Sequence, residues 1–539
     1  MTENSRSFVL RNALVLDGTG KPGFHADVVV AGGLIHEVSA PGKTDALGEQ
    51  IDVTGLAVSS GFIDMHSHSD LAVLQDPEHL AKTTQGVTLE VVGQDGLGYA
   101  PVSLETREEL AQQLAGWNGQ PDADTLDFST VGEYLDKVDR GAAVNVATLI
   151  PHGTVRLLVM GSADRHATAD DLKEMTSIVD ISMREGALGL SAGLTYAPAI
   201  YAHDDELVAL CQVVSNHGGI YSPHHRSYGE GFLEAVDECI EISRKSSCPL
   251  HLTHCNMNAK KYWGRADLLL DKLAQAARDN LDVSLDTYPY LAGMTYLHAL
   301  FPSWIFEGGL QKAEARINNS DARARLVHEL KVTGTDGNQG GPVNWPAVTI
   351  AHTNRPANSG AVGMSLDQYA ASVNKDVAEA YIDLVVDEKF AASCVVFAGN
   401  EDNLRAIMQH DKHMVGSDGI MFGKRPHPRA WGAFTRVLGV YAREEQVISL
   451  EGAVARMTGR PAERLGLTNR GFVKPGQIAD LVVFDPATVI DKATYDLPRE
   501  PSVGIESVFI SGEYVIKGGQ RTGHLLGRSV RNPKHWSKP

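Results

Sequence analysis

The feature that most restricts this chain is an alternation of short apolar runs with amphipathic stretches through its middle. Ala142–Ile150, Leu188–Ser191, Gly219–Ser222, Leu250–Thr253 and Asp282–Asp286 read as strands. Helical patterns separate them, over Ala169–Gly186, Asp204–Asn216, Gly231–Lys245 and Ala266–Asn280. Strands joined by helical crossovers run parallel in one sheet with the helices outside. Five such units in sequence, with more on either side, favour a (β/α)₈ TIM-like barrel over an open sheet. In such barrels chemistry sits at the C-terminal ends of the strands.

Both ends of the chain are β-rich and punctuated by glycine. Phe8–Leu10, Ala13–Leu16, Asp27–Val30 and Leu34–Val38 come first, and Ala479–Asp485, Val508–Ile510 and Tyr514–Ile516 come last. The pattern predicts that residues 1–60 and 470–539 build one small β-sandwich domain. Residues 61–469 then form the α/β barrel. A stretch at about 303–365, with a helix-like run and then a Gly-rich segment, breaks the rhythm. It is expected to be an inserted lid or subdomain.

Composition narrows the function classes. The 539 residues carry 48 Lys and Arg against 67 Asp and Glu, a formal net charge of -19. Such a surface repels phosphate backbones and anionic bilayers, so no nucleic-acid and no membrane partner is expected. No uninterrupted apolar run reaches 18 residues, and the N-terminus has no signal-type apolar region. The five cysteines form no CxxC pair, which fits a reducing, cytoplasmic setting. Whether the chain forms a homo-oligomer stays open.

Histidines and aspartates gather where strands should end. His66 and His68 are two apart after Ala57–Asp64, so a strand presents both on one face, where they can grip one ion. His224 and His254 each follow an apolar run, one β/α unit apart. Asp418 ends Met414-Val415-Gly416-Ser417, and Asp95 ends the strand-like Thr88–Gly93. Taken singly, an HxH or an Asp-Gly turn carries little. Six such groups at strand ends suit a divalent ion that lowers the pKa of water and polarises a carbonyl, with a carboxylate to move the proton.

These residues resemble the amidohydrolase superfamily, and within it the N-acyl-D-amino-acid deacylase (D-aminoacylase) group. The likeness runs along almost the whole chain. It includes Gly61–His68, Gly186–Pro198, Pro223–Arg226, Leu252–His254, Asp286–Tyr290, Gly416–Gly419, His427–Gly432 and Met457–Leu467. The resemblance implies that His66, His68, His224 and His254 bind metal, with Asp418 as catalytic acid/base and Tyr196 touching substrate. It implies Zn²⁺, as one or two ions, with other divalent metals open. Asp95 stands where the family usually has cysteine, and a carboxylate there can bridge two ions. Cys255-Asn256 stands where the family often has a lysine for the substrate carboxylate, and asparagine is neutral. Either Arg226 or His225 is expected to replace it, or the substrate lacks a free carboxylate there, with Arg226 and Asn256 as the expected substrate contacts.

The expected activity is hydrolysis of an N-acyl-D-amino acid or close analogue, a small-molecule amide. Two alternatives stand beside it: another amide, cyclic amide, dipeptide, ester or lactone on the same site, and a non-catalytic ligand-binding barrel.

Overall fold

The computed structural model of the protein describes residues 6–46 and 48–536. Its centre is a closed barrel. We label the barrel strands β1 (Phe62–Asp64), β2 (Val87–Val92), β3 (Asn145–Thr148, continued by Ile150–Pro151) and β4 (Gly189–Gly193). The second half is β5 (Ile220–His224), β6 (Leu250–Leu252), β7 (Val283–Thr287) and β8 (His413–Val415). The run β1-β2-β3 and the run from β3 to β8 share β3, so all eight strands lie side by side in parallel. Past the ends of β8 and β1 the ring closes: Met65 N donates to Val415 O at 3.4 Å, Asp418 N to His66 O at 2.8 Å and His68 N to Gly419 O at 3.1 Å.

The helices form as their sequence periodicity dictates. Over Asp204–Asn216 the buried Leu207, Leu210, Cys211 and Val214 recur at i, i+3, i+4 and i+7, one apolar stripe facing the barrel. Over Ala169–Glu185 the buried Met175, Val179 and Met183 recur at i, i+4 and i+8, and a Thr168/Asp171 capping box closes the N-terminus. Both helices lie within a residue of the expected bounds. The barrel interior is apolar at its N-terminal end, where Met65, Leu89, Leu149, Leu188, Ile220 and Met414 meet.

The two β-rich ends of the chain do come together. They form one continuous nine-stranded sheet, in which Ala57–Ser60 pairs with Leu481–Phe484. The strand Phe8–Leu16 bends at a bulge between Leu10 and Ala13, pairing on one half with Glu49–Asp52 and on the other with Ala57–Ser60. That bend curls the sheet, so that Phe8 stacks on Phe509 at 4.9 Å across two intervening strands. The sandwich-like core is therefore the inside of a single rolled sheet.

Two expected boundaries shift. The insert is larger than 303–365. It holds a three-stranded antiparallel sheet, Ala292–Tyr296, Ser393–Phe397 and Val348–His352, backed by helices around an apolar cluster that runs from Leu297 to Cys394. Both outer strands pair with the central Ser393–Phe397, far along the chain from each of them, so local periodicity could not join them. The last described residues also leave the rolled sheet and cross the N-terminal end of the barrel. Val530 N donates to Val146 O at 2.8 Å, and Val530 packs into the apolar floor. Buried Asn532 donates from its amide to Ala187 O at 3.3 Å and His217 O at 3.2 Å.

No helix among the described residues is long and apolar enough to cross a membrane. Replacing Asn532 by leucine leaves two buried carbonyls unpaired. A stability loss of about 1–3 kcal/mol is expected, read as a lower Tm in a thermal melt. An unchanged Tm would mean that these two hydrogen bonds add nothing to the barrel.

Candidate metal centre

The five sequence-predicted metal ligands and the predicted acid/base Asp418 all converge at the C-terminal end of the barrel. His66 and His68 follow β1, Asp95 follows β2, His224 ends β5, His254 follows β6 and Asp418 follows β8. Their donor atoms fall into two sets that share Asp95: His66, His68, Asp95 and Asp418, and Asp95, His224 and His254. Within each set all donors lie within 4.8 Å of one another.

The Asp95 carboxylate is the hub. Its Oδ1 lies 3.4 Å from His66 Nε2 and 3.3 Å from His254 Nε2, and its Oδ2 lies 3.4 Å from both His68 Nε2 and His224 Nδ1. Asp418 Oδ1 lies 3.1 Å from His68 Nε2. Thr195 Oγ1 holds His224 Nε2 at 2.8 Å, which leaves Nδ1 facing Asp95. Burial pushes the Asp95 carboxyl up, but the imidazoles of His66, His254 and His224 outweigh it and hold the group well below the usual carboxylate range.

The donor set fits divalent ions. His66 is fully buried, yet both its ring nitrogens lack a hydrogen-bond partner, a costly state that a ligated ion relieves. Four imidazoles with two carboxylates match the nitrogen and oxygen preferences of Zn²⁺ and its neighbours. A carboxylate between two imidazole pairs is suited to bridge two ions.

The backbone is forced to make this arrangement. Asp95, His254 and Asp418 sit at φ 53°, 30° and 49°, in the left-handed region that non-glycine residues avoid. Such residues cost about 1–3 kcal/mol each and persist where the surroundings over-determine them. Here the constraints are visible. A Cβ on Gly193 would collide with the Asp95 carbonyl, and one on Gly416 would stand 2.7 Å from His66 Cβ. Buried Asp286 accepts from His254 N at 2.7 Å and pairs with His251 Nε2 at 2.9 Å, pinning the His254 turn.

A cavity of about 340 Å³ opens from Asp95, His224, His254 and Asp418 toward the insert. Tyr196, on the loop after β4, lines it and shares a hydrogen bond of 3.2 Å with Thr295. Burial and the nearby Asp95 charge keep its phenol well above the ordinary range, so it remains a donor. Asn256, after β6, lines the same wall as Tyr288. The Gly-rich segment of the insert contributes Gly337, Asn338, Gln339 and Gly341 to the rim.

Arg226 is not brought to the cavity. Its guanidinium pairs with Glu238, Nε to Oε1 at 3.0 Å and Nη2 to Oε1 at 2.8 Å, and caps the carbonyls of Ile200 and Ala202. Neither Arg226 nor these partners line the cavity, so the expectation that Arg226 binds substrate is corrected. His225 is likewise turned away, stacked on Tyr228 at 4.7 Å.

The cation of the cavity is Arg429, at the start of the helix Arg429–Arg436. It lies in the stretch His427–Gly432, whose sequence alone gives Arg429 no role. The side chain is almost wholly buried, with Nη1 2.7 Å from Asp418 Oδ2 and the guanidinium 4.4 Å above the Tyr288 ring. Neither Nε nor Nη1 is aligned for a hydrogen bond. Burial would raise the Asp418 carboxyl, but Arg429 and then His68 hold it well below the usual range. Gln85 fixes the helix that carries Arg429, donating to Ala430 O at 2.9 Å and accepting from Phe434 N at 3.0 Å.

A closed (β/α)₈ barrel with imidazole and carboxylate ligands at its strand ends defines a class of metal-dependent hydrolases. Residues 49–522 match the model of the amidohydrolase family, and the chain belongs to it. A D-aminoacylase of Alcaligenes xylosoxydans xylosoxydans is 34% identical over 534 residues, covering 97% of this chain and 98% of that protein. The solved structure of a D-aminoacylase, studied for its binuclear metal centre, superposes with a TM-score of 0.82 at 33% identity, over 97% of this chain and 99% of the other. The N-acyl-D-glutamate deacylase of Bordetella bronchiseptica, solved with zinc and a phosphonate that mimics the tetrahedral intermediate, superposes at 0.83 with 32% identity, over 98% of this chain and all of the other.

Exchanging Asp95 for asparagine keeps the shape and removes the bridging charge. Elemental analysis after equilibration with zinc should show at least one ion fewer per chain than in the parent protein. Equal metal content in the two would rule out the bridge.

Proposed function

We propose that the protein hydrolyses the amide bond of N-acyl-D-amino acids, releasing a carboxylate and a free D-amino acid. The observation that carries this reading is the buried, incompletely bonded guanidinium of Arg429 on the wall of the cavity that holds the metal ligands. An anion bound there places the adjoining amide over the ligand cluster. Asn256 and Tyr288 on the same wall offer neutral hydrogen bonds. Arg429 thus supplies the positive charge that Asn256 cannot. The N-acyl-D substrates for which the relatives are named support the choice.

His66, His68, Asp95, His224 and His254 would hold one or two ions, zinc first among the divalent metals. Bound metal would polarise the amide carbonyl and make water acidic enough to attack near neutral pH. Asp418 does the proton work. Its carboxyl is ionised at neutral pH, so it accepts a proton as water adds to the carbonyl carbon. It then returns that proton to the amide nitrogen as the C–N bond breaks. Arg429 keeps Asp418 oriented by their contact, and Tyr196 can donate to the carbonyl oxygen.

The remaining cavity wall argues for a neutral side chain on the amino acid. Leu291, Met294, Val348, Val396 and Phe397 are apolar. Of the other charged residues lining the cavity, Glu230 pairs with Lys261 at 2.9 Å, and Lys260 stands exposed at the rim near Trp263. A second substrate carboxylate would meet no buried cation among the described lining residues. A cytoplasmic setting belongs to the same reading, supported by five free, buried thiols.

Asp418→Asn should retain metal and lose turnover by about 10²–10⁴-fold; activity within a few-fold of the parent would remove Asp418 from its role. In a panel of N-acetyl-D-amino acids, kcat/KM should favour leucine, methionine or phenylalanine over aspartate and glutamate. Arg429→Gln should cost about 10–100-fold more in kcat/KM on free carboxylates than on the matching methyl esters, which lose only what Arg429 contributes through Asp418. Equal losses on both substrates would mean that Arg429 does not hold the carboxylate.

A further inference from the structure

The closure of the barrel between β8 and β1 carries a fully buried lysine. Lys82 lies in the short helix Leu80–Thr83 after β1 and is 0% exposed. Its ammonium contacts Asp64 Oδ2, lies 2.7 Å from Ser417 Oγ and stands 3.4 Å from Glu90 Oε2. Asp64 ends β1 and Ser417 follows β8, so this one cation touches both sides of the closure.

The partners of Lys82 hold the backbone of the ligand residues. Asp64 Oδ1 accepts from His66 N at 3.1 Å and from Ser417 N at 2.8 Å. The Ser417 hydroxyl donates to Asp64 Oδ2 at 2.6 Å and accepts from Gly419 N at 3.1 Å. Asp418, with φ at 49°, is thus clamped on both flanks. Glu90 accepts from Ser67 Oγ at 2.7 Å and Ser69 Oγ at 2.5 Å, and pairs with His79 Nε2 at 2.5 Å. The two serines bracket His68.

Coulomb attraction alone gives no reason for a lysine here, because burying an ion pair is often no better than burying an apolar pair of the same shape. What the pair contributes is geometry. An ammonium donates three hydrogens, and these can serve Asp64, Ser417 and Glu90 at once. Neutralising Lys82 would leave Asp64 and Glu90 repelling one another inside the closure.

We propose that Lys82, Asp64 and Ser417 form a positioning clamp that sets the distance from the His66/His68 pair to Asp418. Lys82 touches none of the six ligand side chains at the strand ends. It acts through Asp64 and Ser417 on where the ligand side chains stand, and so on how tightly the first donor set binds its ion and how well Asp418 is placed for proton transfer. Outer partners of metal ligands typically govern affinity or activity by 10–100-fold.

Ser417→Ala removes the hydroxyl that ties the Lys82–Asp64 pair to the β8 side of the closure without stranding a charge, and Lys82→Met breaks the clamp outright. Zinc affinity is measured by competition with a chromophoric chelator on the full-length protein, beside kcat and KM. In Ser417→Ala at least one zinc affinity should weaken by tenfold or more, and kcat should fall while KM shifts less than twofold, with the melting profile retained. Lys82→Met should show the same change, larger. If it fails to fold, Ser417→Ala alone decides. Zinc affinity and kcat within twofold of the parent in folded Ser417→Ala would overturn the clamp. The zinc measurement needs no substrate, so this result stands whatever the substrate proves to be.

Discussion

Strand β8 meets strand β1 through three backbone hydrogen bonds that lie past the strands proper, linking Met65 to Val415, His66 to Asp418 and His68 to Gly419. Each bond uses a residue that is itself a ligand or stands one or two positions from one. A (β/α)₈ barrel must close somewhere, and here the closing register is also the spacing of the catalytic groups. A slip of one residue would turn His66 and His68 outward and carry Asp418 away from them. The insert and the rolled sheet are built around a ring whose last join is also its reactive edge.

That join is held by polar groups in a dry place. Lys82, Asp64 and Glu90 are fully buried, and three ligand residues occupy left-handed backbone conformations. Each of these features costs stability. The compensation is spread through the apolar floor of the barrel, the helices packed outside it and the rolled sheet. It is the usual division in an enzyme: strain collects where chemistry needs fixed geometry, and ordinary packing elsewhere sustains it.

Much of this was legible in the sequence, for stated reasons. The alternation of apolar runs and amphipathic helices is a local signal, and the helices of the barrel form within a residue or two of where it puts them. The ligands were legible because chemistry at strand ends combines two local facts, the end of an apolar run and a metal-binding residue type. What escaped was long-range. Arg226 follows two histidines and looked available, but its partner Glu238 lies on the following helix and takes its charge. Arg429 became the cavity cation only because the helix after β8 starts at that residue and points it inward. Lys82 gave no signal, since no pattern in a single sequence reveals that a lysine on a four-residue helix will meet an aspartate and a serine from opposite sides of a ring. The extent of the insert was missed because its strands pair across helices, and the path of the tail because hydrogen bonds to Val146, Ala187 and His217 cannot be read from composition.

The tail has a consequence for the order of assembly. Val530 fills the floor of the barrel, and Asn532 ties down two of its loops, while Leu481–Phe484 completes the sheet begun by the first strands. During synthesis the early strands emerge hundreds of residues before the segments that complete them. Before those segments have been made, the apolar floor lacks Val530 and the strand Ala57–Ser60 lacks its partner Leu481–Phe484. Domains that emerge N-terminus first can ordinarily fold as they appear. Here the barrel and the rolled sheet gain their last partners only when Leu481–Phe484 and Val530–Asn532 have been made, so the two units complete together rather than in order of synthesis.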